Sequence, residues 1–115
     1  MNEFTLIFRN DQNPDVKFSP EQMQGVMKQW QDWMGSIAAQ NKLASPGNRL
    51  GFDAKVLKPN DVITDGPFVE MKEMISGYIV VKAADINEAA DIAKGCPILK
   101  MNGSVEVRGI IPMSM

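Results

Sequence analysis

The side chains with the clearest capacity for chemistry lie close together in the middle of the chain. Asp65, Glu70, Lys72 and Glu73 fall within nine residues, after and around a Gly66-Pro67 turn. A lysine beside carboxylates can keep one of them ionised or orient it as a base. Asp65 is therefore the candidate general base, and Lys72 and Glu73 are candidate ligand-binding residues beside it.

A structural interpretation of the same segment stays open. Gly66 can adopt positive φ, and Pro67 fixes its own φ and keeps the residue before it out of the α region. A strand should therefore end near Thr64. Asp65 could simply cap this turn, and the charges after it could form a solvated edge that discourages strand aggregation. In the functional interpretation, Gly66 and Pro67 would also bind the ligand.

Two arginines are the best candidates for binding an anionic group. Arg9 ends a predicted first strand, and Arg49 stands just before a second apolar run. A guanidinium group matches the geometry of a carboxylate. Arginines are also common on solvated surfaces, so the alternative is that both are surface residues.

Several classes of chemistry are absent from this sequence. The chain has no histidine, which removes histidine-based nucleophilic triads, histidine metal ligands and imidazole acid/base catalysis. Cys96 precedes Pro97 at a predicted helix end, where a C-terminal dipole raises a thiol pKa, so a buried packing role is expected. With no phosphate-binding loop, dinucleotide fingerprint or cluster of metal ligands, we predict no metal and no cofactor.

Length and composition limit the class of protein. The 115 residues suit one domain spanning positions 1–115. A net charge of −2 argues against nucleic-acid binding. The chain has one cysteine, no basic and apolar leader at its start, and no run of about 20 apolar residues. We therefore expect a cytoplasmic protein that binds neither nucleic acid nor membrane.

Hydrophobic periodicity predicts the first half of the fold. Residues 3–9 alternate as a strand, and a capping box at Ser19 opens a helix that ends near Asn41. The turn-forming residues 45–48 are expected to break the chain before a second strand over 50–57. After a turn at 58–61, residues 62–64 form a short strand-like piece.

The second half repeats the pattern. Met74 to Ala83 is predicted as a strand, Asp85 as the cap of a second helix with Glu88 completing the capping box, and residues 105–111 as the last strand. The order βαββαβ is that of a ferredoxin-like α+β fold, with a four-stranded antiparallel sheet and two helices on one face. The other face would keep apolar residues that a homodimer could cover. The expected core comprises Phe4, Leu6, Phe8, Met27, Trp30, Tyr78, Val80, Ile86, Ala93 and Val107.

The segment Thr64-Asp65-Gly66-Pro67-Phe68-Val69-Glu70-Met71-Lys72-Glu73 closely resembles the signature of the YCII-related, or DGPF-domain, family. The segments Ile75-Ser76-Gly77-Tyr78, Ala84-Asp85-Ile86-Asn87-Glu88-Ala89 and Gly103-Ser104-Val105-Glu106-Val107-Arg108 also resemble family motifs. The resemblance implies a dimeric α+β barrel with a cleft near the DGPF turn. Some relatives use a His-Asp pair, of which this chain matches only Asp65. Gly109 stands where the family often has proline.

Three functions are compatible with these residues. The first is a small cytoplasmic homodimer that binds a small organic ligand in a cleft beside Asp65. The second is a lyase- or isomerase-type enzyme with Asp65 as general base and Arg9 or Lys72 as its electrostatic partner. The third is a protein-interaction module without catalysis. The sequence does not decide whether the protein is an enzyme.

Overall fold

A computed structural model describes residues 1–10, 18–51, 53–65 and 74–113, with Asp65 described by its backbone. In chain order, the elements within these residues are β1 (Asn2–Arg9), α1 (Pro20–Ala39), β2 (Leu43–Arg49), β3 (Lys55–Lys58), β4 (Val62–Asp65), β5 (Ile75–Ala83), α2 (Ile86–Ala93), a 3₁₀ helix (Pro97–Met101) and β6 (Ser104–Gly109). None of the helices described in these ranges combines the length and apolar composition needed to cross a membrane.

The main sheet has four antiparallel strands in the order β2-β5-β1-β6. One helix follows β1 and another follows β5, so the predicted ferredoxin-like α+β arrangement is confirmed. Buried side chains alternate along both central strands, as in Phe4, Leu6 and Phe8 of β1. The two helices therefore cover one face of the sheet, and none of the helices in the described ranges lies on the opposite face, which we call the open face.

The start of α1 is fixed by a reciprocal capping box. The Gln22 backbone N–H donates to Ser19 Oγ at 3.1 Å, and the Ser19 N–H donates to Gln22 Oε1 at 2.9 Å. Pro20 occupies the first helical position, where its missing N–H costs nothing. These contacts satisfy donors that a helix start otherwise leaves without partners. The predicted start is confirmed, and the helix ends at Ala39, two residues before the expected end, with Gln40 as its C-cap.

Three aromatic rings join α1 to the end of β1. The Phe8 ring centroid lies 5.0 Å from that of Trp30 and 6.0 Å from that of Trp33, and the two indoles are 5.7 Å apart. All three pairs are edge-to-face, a geometry that adds about 0.5–1.5 kcal/mol per pair to simple burial. Trp33 Nε1 also donates to the Ile92 carbonyl oxygen at 3.1 Å. One side chain therefore connects β1, α1 and α2.

The second helix starts at its predicted cap. Asp85 Oδ1 accepts the Glu88 N–H at 2.9 Å. The Glu88 side chain does not complete the predicted capping box. Its Oε1 instead lies 3.0 Å from Lys42 Nζ, as an ion pair without an aligned hydrogen bond. Ala89 and Ala93 are the buried residues of α2, and their small side chains let the helix approach the sheet closely.

The predicted position of the second strand is wrong. The expected break at residues 45–48 lies inside β2, and the expected strand at 50–57 falls entirely after it, with its last three residues in β3. β2 is an edge strand whose pairing with β5 shifts register twice. Edges and bulges are the places where a sheet accepts proline, because no ladder N–H is needed there. Pro46 and Gly47 therefore interrupt the pairing without ending the strand.

β3 and β4 form a separate two-stranded sheet. Their register joins Leu57 to Ile63 and Lys55 to Asp65. The predicted turn between them is confirmed, and Asn60 and Asp61 both have positive φ, of 69° and 62°. β4 ends at Asp65, within one residue of the predicted strand end. We call residues 55–65 the hairpin arm.

Much of the predicted core is confirmed. Buried residues are Phe4, Leu6, Phe8 and Ala93, and Trp30 and Val107 are partly buried against them. Cys96 and Ile98, at the start of a 3₁₀ helix that the sequence pattern did not predict, complete this core.

Four of the expected core residues lie outside this core, and so does Ile111 of the predicted last strand. Met27 is 55% exposed because the buried residues of α1 are in its C-terminal half, so the first turns extend beyond the sheet. Ile86 is 50% exposed, since it is the first residue of α2. Tyr78 and Val80 alternate onto the open face of β5 and are only partly buried. Ile111 lies beyond β6, which ends at Gly109, and is largely exposed.

One glycine is required by a close backbone approach in β2. Gly47 has φ of +62°, a region that L side chains rarely adopt. A Cβ atom at this position would overlap the carbonyl oxygen of Tyr78 in the neighbouring strand. Conformation and space therefore both exclude a larger residue.

We expect Gly47→Ala to lower the free energy of unfolding by about 2–4 kcal/mol, combining a left-handed backbone with overpacking. The measurement is the midpoint of urea unfolding. Gly25→Ala is the matched control, because Gly25 lies inside α1 with open space around its Cβ position. That change should raise the free energy of unfolding by about 0.5–1 kcal/mol. Equal effects of the two substitutions would contradict the assignment of β2.

Candidate functional site

Arg9 lies at the end of the sheet where the candidate segment returns to it. It pairs with Ile75 of β5 on one side and Ser104 of β6 on the other, just after a register shift at Phe8. Its Nη2 lies 3.3 Å from Glu106 Oε1, and its side chain is 27% exposed. The aromatic cluster at Phe8 thus holds the backbone directly before this arginine.

Glu106 is bound by two arginines on the open face. Arg108 Nη1 donates to Glu106 Oε2 at 3.0 Å, and Arg9 donates to the other carboxylate oxygen. The hydrogen bond from Arg108, followed by the charge and hydrogen bond of Arg9, holds the pKa of Glu106 below its ordinary value. The carboxylate stays ionised at neutral pH, and the three residues together carry a positive charge.

Arg49 lies at the same end of the sheet but on another face. It is the last residue of β2 and stands opposite Gly77, whereas the preceding Asn48 donates from Nδ2 to the Tyr78 hydroxyl at 2.9 Å. Tyr78 belongs to the open face, so alternation directs Arg49 towards the helix side, where it is exposed. Arg9 and Arg49 therefore flank β5 without sharing a face.

Asp65 is the last residue of β4, where its backbone pairs with Lys55 of the hairpin arm. The predicted ligand-binding residues Gly66, Pro67, Lys72 and Glu73 lie outside the described residues, so their roles stay predictions. The described chain resumes at the buried Met74 and enters β5 at Ile75, opposite Arg9. The segment that begins at Asp65 thus rejoins the sheet at the position of Arg9.

The centre of the open face is partly apolar. Ile7 stands opposite Tyr78, and Thr5 stands opposite Val80, across the two central strands. All four side chains are partly buried. The Glu106 cluster borders them on β6. Sequence reasoning missed Glu106, although its alternation with Arg108 in the last strand placed two opposite charges on one strand face.

A shallow hollow of about 330 Å³ lies in the helix layer. Its lining residues are Gln29, Asp32, Trp33, Gly95, Pro97 and Lys100. Trp33 already donates its N–H to the Ile92 carbonyl, so its indole has no donor left for a ligand in this hollow. Within the described ranges, no three residues of the metal-binding types come together, and the hollow is separated from Arg9 by the sheet.

Cys96 is a packing residue. It is 2% exposed, and burial, partly opposed by a backbone hydrogen bond at Ile98, raises the pKa of its thiol from the ordinary 9.0 to about 11. The sequence predicted a raised pKa from the helix dipole. The direction is confirmed, but desolvation is the larger cause.

The fold and the open face define a ferredoxin-like α+β protein with a charged cluster beside the point where the DGPF segment joins the sheet. The chain belongs to the YCII-related domain family, which it matches over residues 4–114. It is also 26% identical over 117 residues to the uncharacterized protein R00369 of Rhizobium meliloti (strain 1021), covering 91% of this chain and 89% of that protein. Family membership predicted from the DGPF motif is thus confirmed.

We expect Cys96 to react slowly with a thiol reagent such as iodoacetamide at pH 8, because it is buried and its raised pKa keeps it protonated. Mass spectrometry would follow alkylation of the native protein. The same protein in concentrated guanidinium chloride is the control and should react completely. Rapid native labelling would mean that Cys96 is accessible.

The raised pKa of the Cys96 thiol predicts the direction in which the free energy of unfolding changes with pH. The unfolded state releases the Cys96 proton near the ordinary pKa of 9.0, whereas the native state retains it up to about 11. The free energy of unfolding should therefore fall as pH rises through this window. Cys96→Ala should reduce that fall, as measured by urea unfolding at several pH values.

Proposed function

We propose that this protein is a homodimer that binds a small organic ligand at the end of the sheet between Arg9 and Asp65. The observation that supports this site is the pairing of Arg9 with Ile75, because β5 starts where the segment after Asp65 returns to the sheet. A guanidinium group at this position can attract an anionic ligand or keep a nearby carboxylate ionised.

The anatomy of the open face supports the homodimer. Stable interfaces combine a desolvated apolar centre with a polar rim. Ile7, Tyr78 and Val80 supply such a centre, and the Glu106 cluster supplies part of such a rim. A twofold axis would let the same patch serve both subunits. The ligand would then bind at the margin of the interface.

Catalysis by Asp65 would take place at the same proposed ligand site and would add a chemical step to binding. A lyase- or isomerase-type reaction would use the Asp65 carboxylate as a base, with Arg9 stabilising charge that develops on the substrate. An interaction module without catalysis would need neither group. We further propose the cytoplasm as the compartment, which the single, reduced and buried cysteine supports.

We expect the wild-type protein to sediment as a dimer at micromolar concentration and Val80→Arg to weaken that dimer. An unpaired charge in an interface costs about 3 kcal/mol, which corresponds to about a 100-fold higher dissociation constant. Ala38→Arg, at an exposed position of α1, is the matched control and should sediment as the wild type does. A wild-type monomer, or a Val80→Arg dimer of unchanged affinity, would refute this interface.

We expect Asp65→Asn to abolish or weaken the stabilisation given by ligands found in a thermal-shift screen. A ligand at 100 times its dissociation constant stabilises the native state by about 2.7 kcal/mol, and a tenfold weaker ligand loses about half of that. Asp61→Asn is the control, since Asp61 is an exposed carboxylate in the same hairpin and asparagine tolerates its positive φ. Identical shifts for both variants would leave Asp65 as a turn residue.

A further inference from the structure

Two arginines on the open face share one carboxylate as their hydrogen-bond acceptor. Arg9 Nη2 lies 3.3 Å from Glu106 Oε1, and Arg108 Nη1 lies 3.0 Å from Glu106 Oε2. The pairing of β1 with β6 explains the first contact, because Glu106 stands opposite Ile7 and Arg9 follows two positions later on the same strand face. One carboxylate therefore holds two guanidinium groups beside each other.

The charge of this cluster has the opposite sign to the charge of the whole chain. The chain carries a net charge of −2, whereas two guanidinium groups and one carboxylate sum to a single positive charge. The other facing charges of β1 and β5 on the open face balance each other, since Glu3 stands opposite Lys82. Attraction of an anion to this part of the open face must therefore come from the cluster itself.

Arg108 is the most accessible group of the cluster. Its side chain is 68% exposed, and the N–H that donates to Glu106 is on Nη1. The remaining N–H groups of the same guanidinium can therefore donate to a ligand, and their planar arrangement matches a carboxylate. Ile7 and Tyr78 lie beside the cluster across the strands and are partly buried, so an apolar ligand body has a surface next to the charges.

Glu106 keeps its negative charge beside any anion that binds there. The hydrogen bond from Arg108, followed by the charge and hydrogen bond of Arg9, holds the pKa of Glu106 below its ordinary value. An anion then experiences attraction from two guanidinium groups and repulsion from one carboxylate. The attraction grows in proportion to the charge of the anion, whereas the cost of removing the anion from water grows with the square of that charge. A cluster with a single net positive charge therefore suits an anion with a single negative charge.

We propose that Glu106 determines specificity at the Arg9 end of the sheet, by making the Arg9–Arg108 pair selective for an organic monoanion such as a carboxylate over a phosphate dianion. Without Glu106, the two guanidinium groups would present two positive charges and would suit a dianion. The inference rests on the proposed ligand site at Arg9. It adds the charge class of the ligand and the residue that sets this class.

Benzoate and phenyl phosphate are matched probes of this selectivity. They share a phenyl ring, which suits the apolar surface beside the cluster, and they differ in charge. At pH 8 benzoate is a monoanion, and phenyl phosphate is a dianion because the second pKa of a phosphate ester is about 6. Dissociation constants would be measured by heteronuclear NMR titration of the full chain, through the backbone amide signals of β6. The wild-type protein should bind benzoate more tightly than phenyl phosphate.

Glu106→Gln removes the negative charge and keeps the shape of the side chain. Benzoate should bind about threefold more tightly to this variant and phenyl phosphate about tenfold, because the repulsion removed is proportional to the charge of the probe. The selectivity for benzoate should therefore fall by about threefold. Asp91→Asn is the matched control, since it changes the net charge equally from an exposed position on α2, on the helix-covered side of the sheet. This control should change either constant by less than about 1.5-fold, because salt screens distant charges.

The outcomes separate the selectivity from the ligand site itself. A larger gain for phenyl phosphate than for benzoate in Glu106→Gln supports the proposal, and damage to the fold would instead weaken both probes. Equal gains, a loss of both affinities, or a wild-type protein that prefers phenyl phosphate or binds neither probe would overturn the selectivity. The ligand site would then still stand or fall with the Asp65→Asn thermal shifts. Unchanged benzoate binding in Arg9→Gln would remove Arg9 from that site.

Discussion

The fold depends on the position of one indole. Trp33 contacts Phe8 and Trp30 edge-on and donates its N–H to Ile92, so it ties the end of β1 to both helices. Gly95 makes room for it, because a Cβ atom there would lie 3.0 Å from the indole ring. A polar N–H buried without a partner would be costly, and the carbonyl of Ile92 at the end of α2, which also accepts the Gly95 N–H, removes that cost. The contacts of Trp33 therefore pack the helix layer and also position the end of β1 just before Arg9.

How well the sequence predicted each element depended on whether its signal was local. The capping residues Ser19 and Asp85 satisfy helix donors within three residues, so their motifs located both helix starts. The prediction of β2 was wrong because a strand accepts Pro46 only at the edge of a sheet. Which strand lies at the edge is defined only in the assembled sheet. Alternation identified β5 but could not say which of its two apolar faces the helices would cover. Tyr78 and Val80 were therefore assigned to the wrong side of the sheet.

The distinction between local and long-range signals also applies to the candidate site. The DGPF motif identified the family correctly, because its signature is written in consecutive residues. The role that the motif predicts for Asp65 stays a prediction. The contact of Arg9 with Glu106 joins positions 97 residues apart and follows from the pairing of β1 with β6. Arg9 and Arg49 looked equivalent in sequence, yet strand alternation separates them across the sheet. The relative positions of these charged side chains therefore depend on the strand register of the sheet, which is not visible in local sequence spacing.

The irregular edge of β2 has a consequence for association. An ordinary edge strand presents a row of backbone donors and acceptors that can template another chain. Pro46 offers no donor, and the left-handed turn at Gly47 bends the strand out of a regular ladder. A foreign strand therefore finds no continuous register along this side. Growth of the sheet by addition of another chain's strand is therefore disfavoured at the β2 edge.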